Sequence, residues 1–480
     1  MAASFFFYDL ETSGINPRTA RIMQFAGQRT DMELNPIGDP VNALVKLTPD
    51  IVPEPDAILI TGITPQQTLI DGYTEAEFLK LFFADVVQPD TIFVGYNSVR
   101  FDDEFMRFLQ YRNFYDPYEW QYANGCSRWD ILDVVRMTRA LRPEGIEWPY
   151  TPEGKPTNRL EFLTKANNLS HEHAHDALND VLATLAIAKL IKTKQPKLFE
   201  HLLSYRSKKA VSELIERREP FVYSTGKYPS SQQHTSVALW LGKNPNQRDE
   251  VVYDLRHDPT PYLAMNVDEL ADAWKATKDP DVVRLPVKTM KPNHCPAVAP
   301  LGVVKDLAVQ ERIDLTLDTV TKNLAVIRAH QAEFTNSVMQ VITRADAERE
   351  QTHKLDSPTV DERLYEKFLS DSDKQAMRAV RSVEPSELHA DRFTFQDDRL
   401  VGLLPLYKAR NYPQSLSSEE RAEYDAFCYQ QVFDGGQDSR LAKFFARLSE
   451  LAADASAEQK YLLEELQLYG QSIVPADASE

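Results

Sequence analysis

The nine residues Ser4-Phe5-Phe6-Phe7-Tyr8-Asp9-Leu10-Glu11-Thr12 constrain this chain more than any other stretch. Four consecutive aromatic residues favour extended backbone and are too apolar to leave in water, so the run reads as a buried strand. Residues two apart on a strand share a face, which aims the carboxylates of Asp9 and Glu11 into the same space. Two such acids repel each other and lose hydration unless a cation lies between them. A divalent ion meets that need, and oxygen ligands suit Mg²⁺ or Mn²⁺. Taken alone, Asp-x-Glu at a strand end is more often a solvated turn, because short motifs recur by chance.

The rest of the chain must therefore supply further ligands. Asp102 closes Asn97-Ser98-Val99-Arg100-Phe101-Asp102, just after the apolar run Thr91–Tyr96. Asp103 competes with it, and either acid also suits the cap of the helix that follows. His175 and Asp180 stand in His175-Asp176-Ala177-Leu178-Asn179-Asp180, where a long helical pattern begins. Ala177, Val181, Leu185, Ala188 and Ile191 build one apolar face of that helix. His175 is five residues from Asp180, so the two do not stack on a regular helix, and His175 reads as a base on a loop or first turn. Asp176 reads as a first-turn acid that steadies the helix N-terminus. His171 and His173 are rivals for the base.

Residues 1–195 mix strand and helix signals, which implies an α/β sheet with helices packed on it. Met23–Thr30 and Asn42–Leu47 read as further strands, and Thr64 and Thr74 cap helices. Short strands at Phe221–Tyr223, Ser236–Leu241, Val251–Leu255 and Val282–Val287 suggest a small barrel. A helix is expected over 316–345, a charged linker over 346–360, and mainly helix beyond. The resulting division is 1–195, 196–350 and 351–480. A chain of 480 residues allows about three domains at roughly 100–200 residues each.

Composition limits the partners. Net charge is −18, yet residues 201–330 hold 18 Lys+Arg against 16 Asp+Glu and can present a basic surface. An acidic total argues against indiscriminate coating of nucleic acid. No stretch approaches the roughly 20 apolar residues of a membrane helix, so no membrane partner is expected. Cys126, Cys295 and Cys428 are far apart and form no zinc spacing, which fits a reducing cytoplasm. Tyr111, Phe114, Tyr115, Tyr118, Trp120 and Tyr122 lie near Arg107, Arg112 and Arg128, a mixture that suits single-stranded nucleic acid. Core packing accounts for about half of such rings. Trp129 and Asp130 read as a core aromatic and a capping acid.

In order, Asp-x-Glu, Asp and His-x₄-Asp resemble the DEDDh superfamily of 3′→5′ exonucleases. Gly95-Tyr96-Asn97, Val99-Arg100-Phe101-Asp102-Asp103-Glu104, Tyr111–Tyr118, Ser127–Asp130 and Leu141-Arg142-Pro143-Glu144-Gly145-Ile146 are similar to the bacterial exonuclease I family within it. The resemblance implies an α/β ribonuclease-H-like exonuclease domain, a small SH3-like β-barrel domain and an α-helical C-terminal domain. It implies two Mg²⁺ ions, replaceable by Mn²⁺, with Asp9 bridging, Glu11 and Asp180 completing one shell, and Asp102 holding the second. His175 would then take the proton of the attacking water, and Thr12, Asn97 and Arg128 would touch substrate.

The implied activity is processive 3′→5′ digestion of single-stranded DNA to nucleoside 5′-monophosphates, in DNA repair and recombination. The added domains would close a channel, and removing residues 361–480 would shorten processive runs more than it harms cleavage of very short oligonucleotides. The implied partner is the acidic C-terminal tail of single-stranded DNA-binding protein, with Arg142, Arg312 and Arg328 as candidate contacts. A monomer in the cytoplasm, associated with the nucleoid, is expected. Two rival readings remain: an RNA-trimming DEDDh exonuclease with the same site, and a non-catalytic DNA-binding scaffold that kept the fold.

Overall fold

The computed structural model describes residues 3–170, 176–247, 249–276, 284–352 and 359–474. These form two compact units. The first comprises Met1–Cys126, Glu172–Leu182 and Ser357–Glu480, and the second Ser127–His171 and Ala183–Asp356.

In the first unit the aromatic run becomes strand β1 (Ser4–Thr12), central because its rings need cover on both faces. It pairs antiparallel with β2 (Ile22–Thr30) and parallel with β4 (Thr91–Gly95). On its far side β2 pairs with β3 (Val41–Leu44). Phe6, Tyr8 and Leu10 face one core, together with Phe25, Phe78, Phe82, Phe93 and Trp120. Burial of each such side chain contributes about 1.5–3 kcal/mol. Gly27 on β2 is required by this packing: a Cβ there would lie 2.3 Å from the Phe6 ring.

Three short helices follow β3: α1 (Pro55–Thr61), α2 (Pro65–Asp71) and α3 (Glu75–Leu81). Thr64 and Thr74 cap α2 and α3 as their sequences imply, and Thr74 forms a capping box with Glu77. Helix α4 (Asp102–Arg112) starts just beyond β4.

The C-terminal helices do not stand apart from this sheet. Met23 of β2 and Ile58 of α1 share one apolar cluster with Leu441, Phe444, Leu463 and Leu466. Phe108, Tyr111 and Phe114 share another with Met377, Leu400, Leu403 and Tyr407. Residues 359–474 are thus part of the nuclease unit's own core, not an appended module that can be cut away with the nuclease left whole.

The second unit holds β5 (Ser127–Asp130), α5 (Ile131–Leu141) and α6 (Leu160–Ala166). Helix α7 (Ala177–Lys194) begins in the first unit and ends in the second. An antiparallel sheet then runs in the order β10-β6-β7-β8-β9, from β6 (Phe221–Ser224), β7 (Thr235–Lys243), β8 (Glu250–Asp254), β9 (Val287–Met290) and β10 (Ala297–Pro300). Two expectations are corrected here. The strand expected at 282–287 lies instead at Val287–Met290, because Pro286 has no N–H for the ladder; Val282 and Val283 lie outside the described residues. The helix expected to end near 345 runs Leu317–Thr352. Its charged end reads as linker in the sequence but is a helix continued by good helix formers.

Candidate active site

Strand alternation places Asp9 and Glu11 on the face opposite Tyr8 and Leu10, and a bulge after Glu11 ends the regular ladder with β2. Helix α7 adds Asp180. One carboxylate oxygen from each of Asp9, Glu11 and Asp180 lies within 4.8 Å of the others. Two full negative charges at that distance repel by about 3 kcal/mol at an effective dielectric of about 20. Loss of hydration, then Asp102, Glu11 and Asp180, holds the Asp9 carboxyl well above the usual range. Burial, then Asp180, Asp102 and Asp176, pushes Glu11 up to about 9. Among the described residues no basic side chain pairs with Asp9 or Glu11. Three carboxylates of this kind fit a hard divalent cation.

Asp102 and Asp103 are sorted by the core. The Tyr8 hydroxyl donates to Asp103 at 2.6 Å, which commits that acid to the buried side of α4. Asp102 acts on Asp9 and Glu11 through its charge and is not the side-chain cap of α4. It stands apart from the tight triad of Asp9, Glu11 and Asp180. Asn97, with φ of 67°, takes the left-handed turn between β4 and α4.

Asp176 caps α7 by accepting the N–H groups of Leu178 and Asn179 at 3.0 and 3.2 Å. This first-turn cap sets where the helix begins, and hence where Asp180 points. Ala177, Val181, Leu185, Ala188 and Ile191 are all buried, as the sequence pattern requires. His175, with its rivals His171 and His173, lies outside the described residues.

The substrate candidates divide. Thr12 is buried beside Glu11, and its hydroxyl donates to the Gly14 carbonyl at 2.8 Å. Arg128 belongs to the second unit and donates to the Asn293 carbonyl at 2.7 Å. Core packing takes more of the aromatic cluster than the half expected: Tyr111, Phe114, Tyr115 and Trp120 are core residues, and Arg112 is buried in a pair with Glu75. Arg107 is likewise buried against Glu104 and over the Tyr118 ring. Only Tyr122 of these rings is well exposed. Trp129 packs edge-on against Phe199, and Asp130 caps α5, both as expected.

Of the partner candidates, two converge. Arg142 lines a cavity of about 370 Å³ with Leu141, Pro196, Leu198, His201 and Pro300. Arg312 donates to the Ala140 carbonyl at 2.7 Å, on the same end of α5. Arg328 is instead exposed and paired with Glu219 at 2.9 Å. The sequence reading missed Glu54, which fixes the loop after Glu11. Its N–H donates to Ser13 at 2.7 Å, and a Cβ on Gly14 would lie 2.5 Å from its carboxylate. Nothing in the spacing of Glu54 signals this role.

A mixed sheet whose first strand and helix α7 bring three carboxylates together suits an exonuclease domain, and residues 6–188 match the Exonuclease family profile. Residues 206–344 match the Exonuclease I SH3-like domain and 358–473 the Exonuclease I C-terminal domain. The chain belongs to the exonuclease I family. It is 38% identical to exodeoxyribonuclease I of Haemophilus influenzae over 476 residues, 97% of this chain and 98% of that one. Exonuclease I of Methylocaldum szegediense superposes with a TM-score of 0.91 at 39% identity, covering 99% and 100% of the two chains. The zinc-bound E. coli exonuclease I–single-stranded DNA complex gives 0.90 at 37% identity, covering 98% and 100%. A complex described as SSB/exonuclease I with an inhibitor gives 0.87 at 36%, covering 99% and 100%.

Proposed function

We propose that this protein hydrolyses single-stranded DNA from its 3′ end, releasing nucleoside 5′-monophosphates with Mg²⁺ as its natural metal. The observation that carries this is the triad of Asp9, Glu11 and Asp180, whose mutual repulsion calls for a cation between them. The zinc- and DNA-bound relative supports the substrate class and a divalent metal. Asp9, Glu11 and Asp180 would hold one ion, and Asp102, partly through water, a second. Bound divalent ions supply Lewis acidity toward the phosphate and its attacking water. His175 accepts that water's proton; an unperturbed imidazole near pKa 6.5 is suited to the task at neutral pH. The water oxygen bonds to phosphorus as the bond to the upstream O3′ breaks, and O3′ takes a proton from solvent to become the new 3′-hydroxyl. Thr12, Asn97 and Arg128 position the strand.

The division into 1–195, 196–350 and 351–480, processive action, a role in repair, and work in the cytoplasm belong to the same reading. No described helix is long and apolar enough to cross a membrane. The test is digestion of 5′-labelled single-stranded DNA beside matched RNA and duplex, with Mg²⁺ or EDTA. Metal-dependent shortening of the DNA from its 3′ end is expected. Trimming of RNA alone would move the protein to the RNA exonucleases, and binding without cleavage would make it a scaffold.

A second reading concerns the partner. The cavity beside Arg142 has an apolar floor and two basic side chains, Arg142 and Lys197, which suits the carboxylate and last apolar residue of an acidic peptide tail. The SSB/exonuclease I complex supports that occupant. Replacing Arg142 by Ala should weaken binding of the tail peptide tenfold or more with cleavage of naked DNA unchanged; unchanged affinity would remove Arg142 from the site.

A further inference from the structure

Arg21 is 1% exposed and immediately precedes β2, ten residues after Glu11. Its backbone closes the hairpin that presents the acids: Ser13 N–H donates to the Arg21 carbonyl at 2.9 Å, and Arg21 N–H to the Ser13 hydroxyl at 2.9 Å. Its guanidinium meets Asp361 at 2.8 Å and Asp50 at 3.6 Å. Arg410 joins the same two acids, at 2.7 Å from Asp361 and 2.8 Å from Asp50. Arg112 and Glu75 complete a buried set of three arginines and three acids. Asp361 and Arg410 come from the C-terminal region and the other four from the nuclease sequence.

We propose that the C-terminal region is a built-in positioning element of the metal site, with Asp361 acting through Arg21 to fix the hairpin end that carries Glu11, Thr12 and Ser13. The physical need is plain. Asp9, Glu11 and Asp180 repel one another, and the ladder is already irregular after Glu11, so the hairpin end tends to splay. Catalytic groups tolerate only about 0.5 Å of misplacement. An arginine held by two carboxylates is a directional anchor, whereas an apolar plug of equal volume fixes no direction. Buried ion pairs are often replaceable by apolar groups without loss of stability, so cohesion alone does not account for six buried charges. Asp361 and Arg21 touch neither substrate nor metal; they are positioning residues.

The inference rests on the reading that Asp9, Glu11 and Asp180 bind the metal, and the test separates the two. The double variant Arg21→Met/Asp361→Asn removes one positive and one negative charge together, so the buried set stays balanced. Mn²⁺ affinity is measured by calorimetry in the full-length protein, alongside kcat and KM on a short oligonucleotide. The expected result is a folded variant with Mn²⁺ binding at least fivefold weaker, kcat at least tenfold lower, and KM for DNA little changed. Arg447→Ala, which breaks an exposed pair with Asp56 elsewhere on the same unit, should change none of these. Wild-type affinity and turnover in the folded double variant would overturn the proposal, as would lost turnover with Mn²⁺ affinity intact. A wild type that binds no Mn²⁺ would overturn the metal-site reading instead. Should the double variant fail to fold, Ser13→Ala removes the acceptor of the Arg21 N–H with every ion pair in place. It must weaken Mn²⁺ binding in the same direction, and wild-type affinity there would overturn the proposal.

Discussion

At the scale of residues, the legible part of the site is the part that follows strand and helix periods. Asp9 and Glu11 share a face because they are two apart, and Asp180 follows from the helix start. The stretch Asn97–Phe101 points to Asp102 over Asp103 in the sequence, and the long-range bond from Tyr8 that occupies Asp103 is the part no local pattern contains. The carboxyl of Glu11, pushed up to about 9, yields a pH prediction with a definite sign. A group whose folded pKa is raised contributes stability that is complete below its unfolded value, about 4.3, and is lost as pH rises toward 9. Metal-free wild type should therefore lose melting temperature across pH 5 to 9 relative to Glu11→Gln. Since ligands must ionise, the rise in melting temperature caused by Mg²⁺ should grow over the same window. Parallel melting curves for the two metal-free proteins would contradict the burial of charge at Glu11.

At the scale of elements, caps and ladders decide where the acids point. Thr64, Thr74 and Asp176 each sit where an oxygen-bearing side chain precedes a helical pattern, and each is a cap in the fold. Asp176→Ala should cost about 1 kcal/mol by unfolding in urea and lower turnover by loosening the first turn of α7, which carries Asp180. Normal turnover at that cost would show that Asp180 is placed by packing alone. The aromatic stretch 111–122 stays ambiguous in the sequence because stacking platforms and aromatic cores have the same composition. Burial of Tyr111, Phe114 and Trp120 settles the matter for the core. Helix α1 escaped notice because Glu54 before it makes no side-chain cap, whereas α2, equally short and also opening at a proline, is announced by Thr64.

At the scale of the whole chain, the three-part order of nuclease, barrel and helices was readable, but the independence of the last part was not. Met23 packs with Phe444, and Asp361 meets Arg21, across sequence separations that no window reaches. Removing residues 361–480 should therefore yield a protein that melts at much lower temperature or fails to fold, with cleavage of even a trinucleotide lost. A stable truncated enzyme with normal trinucleotide turnover would show that the shared core is dispensable. The most direct test of the account is single-turnover digestion of 5′-labelled single-stranded DNA with Mg²⁺ by wild type and Asp9→Ala, each first shown to bind the oligonucleotide. Stepwise 3′ shortening by wild type is expected, with at least a thousandfold slower cleavage by the variant at similar DNA affinity. Equal cleavage by both proteins would contradict it, because the acids on β1 would then not be where the chemistry occurs.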